Sequence, residues 1–324
     1  MEISALVESL NALLHSAHSK KDFHFQAHKH LLAAAKSKSF LNELIIKNLV
    51  QPNFFNQSHY PVPSFPVFRN AEYELVVNCW IPYPDKSIEI STKSLHHHGP
   101  MLLSTITIFG PGYQHWLFKP AKNVDGTKCI LDLIDYNQHG LYHIAFVDAF
   151  HVHVPMYPKE LSLTLALWTS SQKSSVLDHL KSQPFISKNK LILSQLISKL
   201  GMSKLLRVKQ LKNLDYYPVT NGFTTINFRS DTEYCRGPVE HRIQTLFSII
   251  QNTIGPDIFN MVDLQSIISN EFNSSPQLRS LSLKFANSLK QGITILPILT
   301  PGLHTNQQLS NFSSQQISAS ASLC

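Results

Sequence analysis

Ser94-Leu95-His96-His97-His98-Gly99 is the stretch on which the reading of this 324-residue chain turns. In an extended strand successive side chains point to opposite faces, so His96 and His98 project together while His97 faces away. Two neutral imidazoles at that spacing can converge on one metal ion, and imidazole nitrogen suits Fe, Zn, Cu or Ni. A bare H-x-H is also what a surface histidine cluster looks like, so the sequence around it has to decide.

Outward from the triplet, short segments rich in β-branched and aromatic residues read as strands. They are Tyr73 to Trp80, Met101 to Phe109, Tyr113 to Lys119, Leu141 to Val147 and Leu161 to Trp168. Gly99-Pro100, Gly110-Pro111-Gly112 and Asp125-Gly126 punctuate them, a spacing that predicts a sandwich or barrel of antiparallel strands. In the strand after the second of these turns, Tyr113, His115 and Leu117 share a face. His115 could hydrogen-bond a ligand or substrate, or could be a buried histidine satisfied within the core. His151-Val152-His153-Val154-Pro155 is a second H-x-H, read as a loop between strands. Either of its histidines could complete a metal site or serve as a base beside one.

Helical patterning flanks this β region. Ile3, Leu6, Leu10, Leu13 and Leu14 fall on one face, as do Leu41, Leu44, Ile45 and Leu49. His24 and His28, four apart, could bind a metal, but with no third ligand at helical spacing a solvated or half-buried helix face is expected. Prolines at 52, 61, 63 and 66 mark a connecting segment. After Ser174 helices are expected at residues 176–180 and 191–200. A hairpin follows across Asn221-Gly222, joining Leu214 to Thr220 with Phe223 to Phe228. Helices are expected again from Pro238 to Gln251 and from Gln277 to Leu289. Arg229, Asp231, Glu233, Arg236, Glu240 and His241 read as structural ion pairing. The Ser-, Gln- and Asn-rich end, from Asn306 to Cys324, predicts disorder. The expected organisation is an N-terminal helical segment at 1–62, a β-barrel at 63–172, a helical region with one hairpin at 173–300 and a tail at 301–324.

Composition narrows the class. Hydrophobic residues make up 43% and charged residues 15%, so a sizeable core can form. The formal charge of +7 is spread along the chain without a basic block or a basic-aromatic motif, which argues against nucleic acid as a partner. Cys79, Cys129, Cys235 and Cys324 lie far apart with no C-x-x-C pair, so reduced thiols are expected rather than a zinc knuckle or a disulfide framework. No apolar run reaches membrane-span length, and Met1-Glu2-Ile3-Ser4 lacks the regions of a signal peptide. The expectation is a cytoplasmic protein without a membrane partner.

The spacing around His96 is similar to that of the cupins. A cupin first motif runs H-x-H, a glutamate four or five positions on, and a glycine seven later. Here the glycine slot holds Gly110, and the glutamate slot holds Leu102 or Leu103. The G-x-x-H of a second cupin motif has a counterpart in Gly140-Leu141-Tyr142-His143. The chain resembles the cysteine dioxygenase branch, which uses three histidines and no glutamate. Phe68-Arg69-Asn70, the strand ending in Cys79-Trp80, and Leu161-Ser162-Leu163-Thr164-Leu165-Ala166-Leu167-Trp168 carry that likeness over about residues 1–170. It implies a mainly β cupin barrel (a double-stranded β-helix) with N- and C-terminal helical additions, an α+β arrangement. It also implies Fe(II) at His96, His98 and His143, with Zn, Mn or Ni as alternatives and His151 or His153 as rival third ligands. Arg69 would pair with a substrate carboxylate, and O2 with a small thiol or carboxylate would be the substrates. His115 and His153 are the further catalytic candidates. The branch's active-site tyrosine falls at Trp168 and its strand histidine at Thr164, so a non-catalytic metal- or ligand-binding cupin is the alternative.

Overall fold

The computed structural model describes residues 1–52, 54–56, 62–82, 95–125, 128–170, 214–227, 238–298 and 313–321. Its thirteen described strands are β1 (Ser64–Arg69), β2 (Tyr73–Trp80), β3 (Leu95–His96), β4 (Met101–Phe109), β5 (Tyr113–Phe118), β6 (Lys122–Asp125), β7 (Lys128–Ile130), β8 (Leu133–His139), β9 (Ile144–Val147), β10 (Val152–Pro155), β11 (Ser162–Ser170), β12 (Leu214–Val219) and β13 (Gly222–Asn227). They form two antiparallel sheets, ordered β1-β2-β11-β4-β9 and β6-β7-β13-β12-β3-β10-β5-β8.

Eight of these strands make the barrel. β2-β11-β4-β9 stands on one side and β3-β10-β5-β8 on the other, and the chain changes sheet at every step except from β5 to β8. This is the jelly-roll connectivity of the cupin-type double-stranded β-helix. The fold class expected from the sequence is therefore the one observed: a cupin barrel with helices added at both ends.

Alternation along β2 shows how the barrel is assembled. Tyr73, Leu75, Val77 and Cys79 are buried against the helices, while Val76 and Trp80 turn inward to the barrel. On the outer face lie α1 (Ile3–Ser16), α2 (Lys20–Ala35) and α3 (Lys38–Leu49) from the N-terminus. They share that core with α4 (Val239–Thr253), α5 (Ile258–Met261), α6 (Leu264–Glu271) and α7 (Pro276–Lys290) from the C-terminal part. Phe55, in a 3-10 turn at Phe54–Asn56, stacks on Phe247 of α4 at 5.3 Å and meets Phe272 at 5.8 Å, tying the two helical sets together. Serines start two of the N-terminal helices: Ser19 accepts from the Asp22 amide and Ser37 from the Phe40 amide. No helix among the described residues is long and apolar enough to cross a membrane.

Polar contacts also lock α2 onto the first sheet. His24 is fully buried, with Nδ1 2.8 Å from Ser104 Oγ and Nε2 2.8 Å from Thr169 Oγ1. His28 Nε2 lies 3.1 Å from the same Ser104 Oγ. The His24–His28 pair is thus a docking device, as a half-buried helix face requires.

Several sequence expectations change here. Pro66 does not end the connecting segment; residues from Ser64 onward already form edge strand β1. β8 and β10 are strands that the apolar pattern did not announce. Within the stretch expected to be disordered, Ser314–Ser320 forms α8, capped by Ser313 with Gln316 returning the bond, and its Ile317 seals the outer face of the second sheet. The hairpin β12–β13 is not part of a separate helical region: β12 pairs with β3 and extends the barrel's second sheet. The helices expected at 176–180 and 191–200, and Arg229, Asp231, Glu233 and Arg236, lie outside the described residues.

Gly110 and Gly112, at φ +78° and +77°, bring the β4–β5 turn against neighbouring backbone; a Cβ on Gly112 would stand 1.6 Å from the His139 carbonyl oxygen. Gly292 has a similar φ of +70° with open space around it. Gly292→Ala should therefore cost about 1–2 kcal/mol, whereas Gly112→Ala should force the β5–β8 end apart and cost distinctly more. Thermal unfolding of the two variants checks the ranking, and equal losses would contradict it.

Burial sets a pH dependence as well. His24 and His139 are held down from their ordinary 6.5 to about 3, chiefly by desolvation and then by nearby positive charge, His28 first for His24 and His143 for His139. The unfolded chain binds protons below 6.5 that the folded chain refuses until about 3, so stability is complete above 6.5 and declines as pH falls through that window. Each histidine contributes a slope of up to about 1.4 kcal/mol per pH unit. Urea unfolding of metal-free protein between pH 7 and 4 should show the fall, and His24→Asn should remove its share.

Candidate metal centre

His96 ends β3 and is the direct register partner of His153 on β10. Residues directly opposite on antiparallel strands point to the same face, so both imidazoles enter the barrel. His98, in the turn between β3 and β4, joins them from the same side as the alternation of the triplet requires. The ligand nitrogens of His96, His98 and His153 all lie within 4.8 Å of one another. Ring centroids are 4.8 Å apart for His96–His98 and 4.9 Å for each contact with His153. His97 faces away, buried, with Nδ1 accepting from the Gly99 amide at 2.8 Å.

Two kinds of wall enclose the cluster. One is apolar. Leu117 of β5 is the register partner of His153 on its other side, and Trp168 of β11 sets its ring against His98 at 4.6 Å. Both pack on Leu103, Val147 and Ala166. The other wall is polar but uncharged. His115 Nε2 lies 2.9 Å from His153 Nδ1, His139 stacks 4.6 Å beyond His115, and Tyr113 follows at 5.4 Å from His139. Deeper still, Trp80 Nε1 donates to Thr164 Oγ1 at 2.8 Å. Burial raises the Tyr113 hydroxyl pKa, against the opposing pull of hydrogen bonds with Thr105 and Thr164.

Desolvation dominates the electrostatics. It pushes the pKa of His98, His115 and His153 well below the ordinary value, and the neighbouring histidines push the same way. The imidazoles are therefore neutral at pH 7, which leaves each a lone pair to give to a metal. His98 Nε2 and His153 Nε2 stand 2.8 Å apart, so one of the two carries a proton and donates it to the bare nitrogen of the other. A cation held between them would replace that proton. For His153 to ligate through Nε2, its proton must sit on Nδ1 and be donated to His115 Nε2; the 2.9 Å contact is placed for that bond. Three neutral nitrogen donors with no carboxylate among them fit a borderline or soft divalent ion, not Mg or Ca.

The structure sorts the sequence candidates. It brings His96, His98 and His153 together, with His115 directly behind His153. His143 is set apart. Gly140 to His143 is a tight turn closed by the His143 amide to the Gly140 carbonyl at 3.0 Å, with Tyr142 at φ +65°, so the strand begins only at Ile144. His143 is exposed and meets His139 at 5.1 Å. The correction has a physical cause: G-x-x-H carries its histidine on a rigid strand only if the backbone is extended, and a positive φ at Tyr142 breaks that extension. His151 precedes β10 and stays outside the group. Arg69 ends edge strand β1, with its side chain 77% exposed and Nε 3.8 Å from Glu74, a surface placement rather than one against the histidines. His139 belongs to no sequence motif and was missed. The Val-His-Val alternation of residues 152–154 was the available signal for β10.

No family model matches the chain, and no curated protein matches it. Matching solved structures include TT1209 from Thermus thermophilus, at 11% identity over 33% of this chain and 82% of that one, with a TM-score of 0.23. A double-stranded beta-helix protein from Klebsiella pneumoniae matches at 15% identity over 35% of this chain and 79% of its own, with a TM-score of 0.22. An RmlC-like cupin from Shewanella frigidimarina matches at 9% identity over 34% and 77%, with a TM-score of 0.20.

Proposed function

We propose that the chain is a non-haem iron oxygenase of the three-histidine, cysteine dioxygenase-like type, holding Fe(II) at His96, His98 and His153 and oxidising a small thiol or carboxylate with O2. The observation that carries the reading is the convergence of three imidazoles, without a carboxylate, inside a cupin barrel. Bound Fe(II) would supply the one-electron chemistry that O2 needs to react with a closed-shell substrate.

The protein's own residues do the rest. His96 and His98 come from one stretch and His153 from the adjacent strand, so all three donors reach the metal from one sheet and coordination positions remain for substrate and O2. His115 fixes the tautomer and ring orientation of His153. Leu117 and Trp168, backed by Leu103, Val147 and Ala166, exclude water from that region and strengthen electrostatic interactions within it. Tyr113 keeps its proton, because burial raises its pKa, so its hydroxyl can donate a hydrogen bond as well as accept one. With Arg69 at the surface beside Glu74, a thiol is favoured over a carboxylate as the anchoring group.

A second reading, a non-catalytic metal-binding cupin, draws on Trp168. Its ring, not a tyrosine hydroxyl, meets His98, so no acidic side chain stands at that point.

Anaerobic reconstitution should give about one Fe per chain. His96→Ala, His98→Ala and His153→Ala should each weaken binding at least about 100-fold, while His143→Ala leaves it within about threefold. Metal analysis after gel filtration reads this directly, and equal loss in H143A and H153A would overturn the ligand set. An oxygen electrode with Fe(II)-loaded protein and a panel of small thiols should record turnover on the order of 1 s⁻¹. Stoichiometric Fe with no thiol-dependent oxygen uptake selects the non-catalytic reading.

A further inference from the structure

We propose that Asp215, carried to the barrel by the hairpin β12–β13, is a positioning residue for His96, accepting the ring N–H opposite the ligating nitrogen; the proposal rests on the metal reading above. Asp215 is the direct register partner of His96 across β12 and β3. Across this part of the second sheet the side chains therefore run Leu117, His153, His96, Asp215 in one row on one face. The following pair, Tyr216 and Leu95, turns to the opposite face and is buried in the outer cluster with Ile317, which confirms the direction of alternation.

Burial makes this carboxylate costly unless it has work to do. Asp215 is 3% exposed, and a buried carboxylate requires hydrogen bonds or a compensating charge. Asp215 also stands outside the set of ligand atoms that lie within 4.8 Å of one another. Its place is thus behind a ligand, not on the metal.

The chemistry of the donor set gives that place a purpose. Three neutral imidazoles leave the full charge of a divalent ion uncompensated in a desolvated barrel, and Leu102 and Leu103 stand where a cupin glutamate would bring one negative charge. A carboxylate behind His96 supplies that charge through the imidazole, fixes its tautomer and raises its basicity. His115 fills the corresponding place behind His153. The hairpin is anchored at its turn end. Asn221 at φ +59° and Gly222 at +143° form its turn, Ser320 Oγ of α8 donates to the Val219 carbonyl at 3.1 Å, and β13 pairs with β7.

Co(II) titration of the full metal-free chain, followed by the visible absorption of the bound ion, tests the proposal. Asp215→Asn should weaken Co(II) binding about 10- to 100-fold and shift the absorption band, while the thermal midpoint of the metal-free protein stays within about 2 °C of the parent. Asp215→Ser, smaller and also neutral, should weaken binding to the same degree and serves if Asp215→Asn does not fold. Binding within twofold of the parent in a folded variant overturns the role of Asp215 and leaves the metal site standing. So does an affinity loss matched by an equal loss of stability in the metal-free protein, which marks a structural residue. A parent chain that takes up no Co(II), or an H96A variant that binds as the parent does, overturns the metal reading and the proposal together.

Discussion

The pairing of His96 with His153 across two adjacent strands is the constraint on which the site depends. In a β-ladder a slip of one residue turns every side chain to the other face. Among the described residues β3 is only Leu95–His96 and meets β10 at a single register pair, so little of the ladder between them defends that register. The defence comes from the outer face. Leu95, Val152 and Val154 are fully buried among Trp116, Phe118 and Phe223, and a slip would move them into the polar interior. Apolar packing on one side of the sheet thus determines where the imidazoles stand on the other.

The described interior of the barrel holds several buried imidazoles, His115, His139 and His153 among them. His98, His115, His139 and His153 all sit where desolvation suppresses protonation, and each suppresses its neighbours further. Such an interior is tolerable because the rings satisfy one another, as His153 does with both His98 and His115. It also keeps the lone pairs available. The same burial that weakens the folded state in acid keeps the cluster in the protonation state a metal requires.

The two sheets use their outer faces differently. The first carries nearly all the helical mass from both ends of the chain, joined through Phe55, Phe247 and Phe272. The second is extended by the β12–β13 hairpin and sealed by α8. Helices stabilise the wall opposite the ligands, and the hairpin borders the wall that bears them.

Much was legible in the sequence because it depends on local periodicity. The alternation that separates His97 from His96 and His98, the long strands β2, β4, β5 and β11, the Asn221-Gly222 turn and the amphipathic helices follow from residues within a few positions of one another. A histidine's usefulness to a metal does not. Gly140-Leu141-Tyr142-His143 matched a motif yet folds as a turn, while His151-Val152-His153-Val154-Pro155 looked like a loop yet supplies a central strand. Short strands such as β3 and β10 acquire their conformation from partners, so their own sequence is a weak guide. By itself the sequence determined the barrel, its helical additions and two of the three clustered histidines. Only the tertiary structure decided that His153 joins them, that His115 and His139 are buried beside it and that Asp215 pairs with His96. Each of these depends on strand register and on exclusion of water from both sides of a sheet, which no local pattern encodes.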